Sequence, residues 1–167
     1  MYLPFEELPS ESRVWIYTGT RAFTQAEEKS VSDLLESFCA KWAAHGEPLR
    51  TSYKIERNQF IVMALDENFQ NPSGCSIDSS VGVLRQIQTA TGIDFLDRSA
   101  IPFLINNRVV LVPLSNLKAR FASGDLRSDT LTFHTLAATK GEWESANTIP
   151  VEKSWLAKYL PKTALTQ

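Results

Sequence analysis

The sequence predicts an α+β fold with a ferredoxin-like βαββαβ core, and three observations support that prediction. Apolar or alternating segments and helical patterns follow one another in the order strand, helix, strand, strand, helix, strand over residues 1–113. The first and third strands are apolar on both faces, whereas apolar and polar residues alternate along the second. This pattern is expected of two interior strands and one edge strand. A length of 167 residues with 43% hydrophobic content suits one domain with a core of normal size.

We therefore expect a single domain over residues 1–167, with an antiparallel sheet in its ferredoxin-like core at 1–113. Helices cover only one face of such a sheet, yet its interior strands are apolar on both faces. The second face needs a cover, because apolar surface is unfavourable in water. We expect the C-terminal α/β extension, residues 114–167, to provide it; a dimer partner is the alternative.

The first strand is predicted at residues 13–17, whose sequence is RVWIY. Thr24 and Glu27 then have the spacing of a capping box, which indicates the start of a helix. Apolar residues continue at helical spacing until Gly46, which is expected to end the helix. This spacing places Cys39 on the apolar face, so Cys39 is interpreted as a structural core residue.

The second strand is predicted at residues 49–56, where apolar and polar side chains alternate, and the third at the apolar segment 59–66. A second helix is expected to begin near Val81 and to end at Gly92. The remaining predicted elements are a hairpin or bent strand at 102–112, a short helix at 115–122, a strand at 130–136 and a terminal helix at 151–160.

Composition argues against several classes of function. The net charge is −2, and we interpret the acids and bases as interspersed along the chain, so we expect no broad phosphate-binding surface and no nucleic-acid partner. No apolar run approaches about 18 residues and no signal sequence opens the chain, which predicts a cytoplasmic protein without membrane contact. The two cysteines lack metal-site spacing, and the P-loop, nucleophile-elbow and dinucleotide fingerprints are missing, so neither a metal nor a cofactor is predicted.

One candidate site stands out at residues 74–80, with the sequence GCSIDSS, between the third strand and the second helix. A helix start carries unpaired N–H groups and partial positive charge. Cys75 near that end could be a reactive thiol, or the backbone could bind a small anion. The alternative is an ordinary capped helix start with a small buried cysteine. The residues whose types favour capping are Ser76, Asp78, Ser79 and Ser80.

The predicted topology brings further residues to the same edge of the sheet. Arg13 and Arg50 are candidates for the counter-charge of a bound anion. His45 is a candidate general base for Cys75 in a thiol-dependent enzyme, or else a histidine at a helix C-terminus, where the helix dipole favours it. We expect a non-catalytic protein that binds an unknown small molecule or protein and could form a homodimer, with the thiol enzyme as the alternative.

Several stretches of the chain resemble a family of small bacterial proteins without an established function, some of which carry the label "ABC transporter ATPase". The label does not fit, because the Lys-Ser and Lys-Thr pairs at 29, 153 and 162 follow Glu or Pro, whereas the Walker A motif requires Gly. The resemblance implies no catalytic residue. It rests on YLPFEELP at 2–9, RVWIY at 13–17, GCSIDSS at 74–80, KGE at 140–142 and SW at 154–155.

Overall fold

A computed structural model describes residues 1–162, and the chain divides into two compact units. Unit 1 consists of residues 1–97 and 135–145, and unit 2 consists of residues 98–134 together with the chain from 146 onwards. The chain therefore leaves unit 1, builds most of unit 2 and then returns to unit 1 for eleven residues before it completes unit 2. The predicted boundary at 113/114 falls inside unit 2.

Both units combine helices with antiparallel strands, which confirms the α+β class. The helices are α1 (Gln25–Lys41), α2 (Gly74–Thr91), α3 (Leu117–Ser123) and α4 (Lys140–Ser145). The strands are β1 (Arg13–Thr18), β2 (Ala43–Ala44), β3 (Glu47–Pro48), β4 (Thr51–Glu56), β5 (Phe60–Leu65), β6 (Ala100–Ile105), β7 (Arg108–Pro113), β8 (Leu131–Phe133) and β9 (Thr148–Pro150). Short 3₁₀ helices cover Phe5–Glu7, Leu114–Asn116, Val151–Lys153 and Trp155–Tyr159.

The sheet of unit 1 has the order β1-β5-β4, with β5 antiparallel to both neighbours. Leu65 at the end of β5 faces Arg13 on one side and Thr51 on the other. All six residues of β5 are buried, as its continuous apolar sequence predicted. The third predicted strand therefore lies between the first and the second, and its last residue leads into the candidate site.

The prediction that the strand after α2 is the fourth strand of this sheet is wrong. β6 belongs instead to the sheet of unit 2, whose order is β7-β6-β8-β9. Asn106 and Asn107 both adopt positive φ, at 51° and 60°, and form the tight turn that pairs β6 with β7. On the side of β1 opposite β5, the described residues of unit 1 form an isolated bridge from Arg13 to Thr139 and a bond from the Val14 N–H to the Ala138 carbonyl, 3.0 Å.

The two faces of β5 pack on different parts of unit 1. Ile61, Met63 and Leu65 join the core formed with α1 and α2. Phe60 faces the opposite way, and the Trp143 ring of α4 lies 6.3 Å from its ring, centroid to centroid. Residues 135–145, from the predicted extension, therefore help to cover the second face of the sheet.

The end of α1 differs from the prediction. The helix ends at Lys41 and not at Gly46, because a two-stranded hairpin, β2-β3, follows it. His45 and Gly46 form the turn of this hairpin with φ of 52° and 80°, conformations that cannot continue a helix. His45 is therefore an exposed residue of a hairpin turn and not a helix C-terminal residue.

Unit 2 has a core of its own between its sheet, α3 and the C-terminal 3₁₀ helices. The predicted terminal helix at 151–160 forms as two short 3₁₀ helices. Within residues 1–162, none of the helices combines the length and the apolar character needed to cross a lipid bilayer. The core residues are Phe103, Val112, Leu117, Phe121, Leu126, Val151, Leu156 and Leu160.

Candidate functional site at the start of α2

α2 begins earlier than the sequence predicted, at Gly74, and Ser73 is its cap. The Ser76 N–H donates to Ser73 Oγ at 3.1 Å, and the Ser73 N–H donates to Ser76 Oγ at 2.7 Å. This reciprocal pair is a capping box formed by two serines. Of the predicted capping residues, only Ser76 takes part in the cap.

The other predicted capping residues lie inside the helix. The Ser79 hydroxyl donates to the Cys75 carbonyl at 2.9 Å, and the Ser80 hydroxyl donates to the Ile77 carbonyl, which is how serines are satisfied within a helix. Asp78 is exposed on the same helix. One sequence pattern could have shown that the helix begins before Val81. Ser76 and Ser80 lie at helical spacing from Val83, Leu84 and Ile87, and all five side chains are buried on the same face of α2.

Two backbone donors remain available at the tip of α2. Within residues 1–162, the N–H groups of Gly74 and Cys75 have no hydrogen-bond partner, and both residues are exposed. A methyl group placed on Gly74 would meet no atom of the surrounding structure within 4 Å, so the space beside Gly74 is open. The first turn of α2 contains no acidic residue. The partial positive charge at this end is therefore not compensated by a carboxylate of its own turn.

The two predicted arginines lie beside the end of β5, each paired with a carboxylate of the following loop. Arg13 Nη1 is 3.3 Å from Glu67 Oε1, and Arg50 Nη1 is 3.7 Å from Asp66 Oδ2. The Arg50 guanidinium also stacks over the exposed ring of Phe69, 5.2 Å from its centroid. These contacts balance the charge of both arginines without a ligand.

Trp42, which follows the last residue of α1, fixes the first turn of α2. Its indole Nε1 donates to the Ser76 carbonyl at 2.7 Å, in a buried position. Its ring packs near Phe38 and Trp15, with centroid separations of 5.0 and 6.0 Å. Sequence reasoning placed Trp42 only in an apolar stripe. A buried indole N–H usually has an acceptor, but the sequence does not show which one.

The proposed pairing of Cys75 with His45 is not formed. Both side chains are exposed, and no hydrogen bond joins them in the described part of the chain. Cys39, by contrast, is fully buried, which confirms its structural interpretation. Burial raises the pKa of the Cys39 thiol to about 12. Residues 1–162 contain no group of three or more His, Cys, Asp or Glu side chains placed to hold a metal ion.

Comparison with known proteins gives no match: no family model, no curated protein and no solved structure is significantly similar to this chain. Functional inference therefore rests on the geometry of the chain itself, above all on the open start of α2.

Proposed function

We propose that this is a non-catalytic binding protein that holds a small oxyanion, such as phosphate or sulfate, at the start of α2. The observation that carries the proposal is the pair of unpartnered, exposed N–H groups at Gly74 and Cys75. Two such donors at the positive end of a helix are the usual backbone ligands of an oxyanion.

The start of α1 shows why α2 is the favoured helix. In α1 the Glu27 carboxylate accepts a hydrogen bond from the Thr24 N–H at 2.9 Å, and Glu28 lies in the same turn. These carboxylates already supply the negative charge that a helix start favours. The polar side chains at the start of α2 are hydroxyls and a thiol, so no carboxylate of the first turn competes there with an external anion.

Binding is favoured over catalysis because the exposed Cys75 thiol forms no hydrogen bond to a general base among residues 1–162. The backbone N–H groups carry the proposed interaction, since Arg13 and Arg50 are already paired with Glu67 and Asp66. The backbone donors are those expected from the sequence, but the two arginines expected as counter-charge are engaged by carboxylates.

We also infer that unit 1 is a modified ferredoxin-like fold. In support, β1, β4 and β5 have the order expected of its first three strands. Residues 138–139 occupy the position beside β1 where a fourth strand would pair, and the isolated bridge there is antiparallel. We also propose that the chain belongs to the family of small bacterial proteins that its sequence resembles. This proposal rests on the five similar stretches of sequence alone.

A proline at position 74 tests the binding site directly. Proline has no N–H, yet it is well tolerated at the first position of a helix, and the extended Ser73 backbone (ψ 165°) suits a following proline. Thermal unfolding with phosphate or sulfate against chloride at equal ionic strength should show anion stabilisation of the wild type. Gly74→Pro should fold and lose most of that stabilisation.

Gln25→Pro is the matched control, because Gln25 is the first residue of α1 and its cap residue, Thr24, has the same extended ψ of 165°. This variant should keep the anion effect of the wild type. Equal anion stabilisation in Gly74→Pro and the wild type, or none in the wild type, would refute the proposal.

A further inference from the structure

The two units carry opposite net charges. Unit 1 contains nine basic and sixteen acidic residues, a net charge of −7, and unit 2 contains eight basic and three acidic residues, a net charge of +5. The net charge of −2 for the whole chain conceals this difference. Acids and bases are thus segregated and not interspersed, which removes the ground on which a nucleic-acid partner was not expected.

Most of the basic side chains of unit 2 are available to a partner. Asp125 pairs with Arg120 at 3.3 Å, and Asp129 pairs with Arg127 at 3.6 Å. The remaining six basic side chains are exposed and form no ion pair with any residue in 1–162. They are Arg98, Arg108, Lys118, Lys153, Lys158 and Lys162.

Two aromatic rings lie beside one of these cations, Lys158, on the 3₁₀ helix Trp155–Tyr159. Trp155 is 40% exposed, and its ring meets that of Tyr159 edge-on at 6.1 Å. Lys158 Nζ lies 5.3 Å from the centroid of the Trp155 ring and 5.4 Å from that of the Tyr159 ring. We call Lys153, Trp155, Lys158, Tyr159 and Lys162 the basic aromatic surface.

The leucine within this helix and the leucine that directly follows it are buried. Leu156 and Leu160 pack in the core of unit 2 with Leu117 and Phe121 of α3. The helix therefore exposes a cation and an aromatic ring while its aliphatic side chains face inward. A surface that inserts into a membrane needs several exposed apolar side chains, so this arrangement does not favour a lipid partner.

We propose that the basic aromatic surface binds single-stranded nucleic acid. Lysines neutralise backbone phosphates, and exposed aromatic rings provide faces on which unpaired bases stack. The same chemistry predicts little sequence preference, because every base has a face that can stack. This surface lies in a different unit from the proposed oxyanion site, and neither proposal depends on the other.

Fluorescence anisotropy with labelled oligothymidylate and oligouridylate of about 20 nucleotides tests this proposal. Binding should be measurable at about 50 mM salt and weaken steeply by about 200 mM, with a log–log slope near −2 if three lysines contact phosphates. Trp155→Ala should weaken binding about tenfold, the loss expected when one stacking platform is removed.

Two charge-matched triple variants localise the binding. The replacement of Lys153, Lys158 and Lys162 by Glu should abolish binding at about 50 mM salt. The same replacement at Lys29, Lys41 and Arg85, which are exposed residues of unit 1, changes the net charge equally and should leave affinity within a few-fold. Circular dichroism confirms that each variant is folded, and Trp155→Ala serves as the independent test if a triple variant is not.

Three results would overturn the proposal. The first is no binding of either oligonucleotide by the wild type at about 50 mM salt. The second is an equal loss of affinity in both triple variants. The third is binding to phosphatidylserine vesicles that exceeds oligonucleotide binding and does not change in Trp155→Ala.

Discussion

The starts of α1 and α2 have the same cap geometry but differ in charge, because only α1 has carboxylates in its first turn. Each begins with a reciprocal capping box, Thr24 with Glu27 in α1 and Ser73 with Ser76 in α2. The α1 box contains a carboxylate, and the α2 box contains only hydroxyls. A cap satisfies individual N–H groups, whereas the charge of the first turn decides whether an anion is still favoured there. This difference makes the start of α2 the candidate binding site.

The two thiols near these helices should differ most in an experiment. Cys39 in α1 is buried, and burial raises the pKa of its thiol to about 12, so very little of it is ionised at pH 8. Cys75, in the first turn of α2, is exposed. We expect an alkylating reagent to modify one cysteine in the native protein and both after unfolding, as peptide mass mapping would show. Rapid native modification of Cys39 would contradict the described packing.

Trp42→Phe should cost about 1–3 kcal/mol of unfolding free energy, because it removes the buried hydrogen bond from Trp42 Nε1 to the Ser76 carbonyl and part of a buried ring. Urea unfolding measures this loss. Trp15→Phe is the matched control, since Trp15 also packs on this aromatic group but forms no hydrogen bond to α2. Equal losses in the two variants would show that ring packing, and not the bond to α2, stabilises this junction.

Ser73→Ala should lower the free energy of unfolding by about 1 kcal/mol, the usual cost of an absent N-cap. Ser79→Ala should change it by less than about 0.5 kcal/mol, because Ser79 is exposed within the helix and bonds only to the Cys75 carbonyl. Denaturant midpoints of the two variants test where the helix starts. A larger loss in Ser79→Ala would place the cap where the sequence first suggested it.

The smallest effect is expected at the carboxylate in the first turn of α1. The Arg21 guanidinium and the Thr24 N–H lower the pKa of Glu27 from 4.5 to about 2. A lowered pKa in the folded state stabilises the protein above pH 4.5, and this contribution disappears as the pH falls towards 2. The stability difference between the wild type and Glu27→Gln should therefore shrink over that interval, as urea titrations at several pH values would show. A difference independent of pH would contradict the ion pair.

Predictions from the sequence were correct where residue spacing and apolar character within one segment are sufficient. The capping box at Thr24, the burial of Cys39 and the continuous burial of β5 follow from spacing and apolar character. The sheet that β6 joins could not be predicted. β6 pairs with β7 through the Asn106-Asn107 turn and with β8, which lies about 30 residues further along the chain. Apolar periodicity shows that a strand forms but not which sheet it joins.

The candidate site was predicted in position but not in its contacts. The stretch that begins at Gly74 does form a helix start. Serines that cap and serines that continue a buried stripe look alike in sequence, however, so Ser73 was missed. The pairing of Arg13 and Arg50 with carboxylates depends on the course of the loop after β5, which no local pattern encodes.

A phosphate titration followed by backbone amide NMR tests the central claim most directly. We predict saturable shifts at the Gly74 and Cys75 amides and much smaller shifts at Gln25 and Ala26, the first two residues of α1. Equal shifts at both helix starts, or no shift at Gly74 and Cys75, would show that the start of α2 is an ordinary capped helix end and not a binding site.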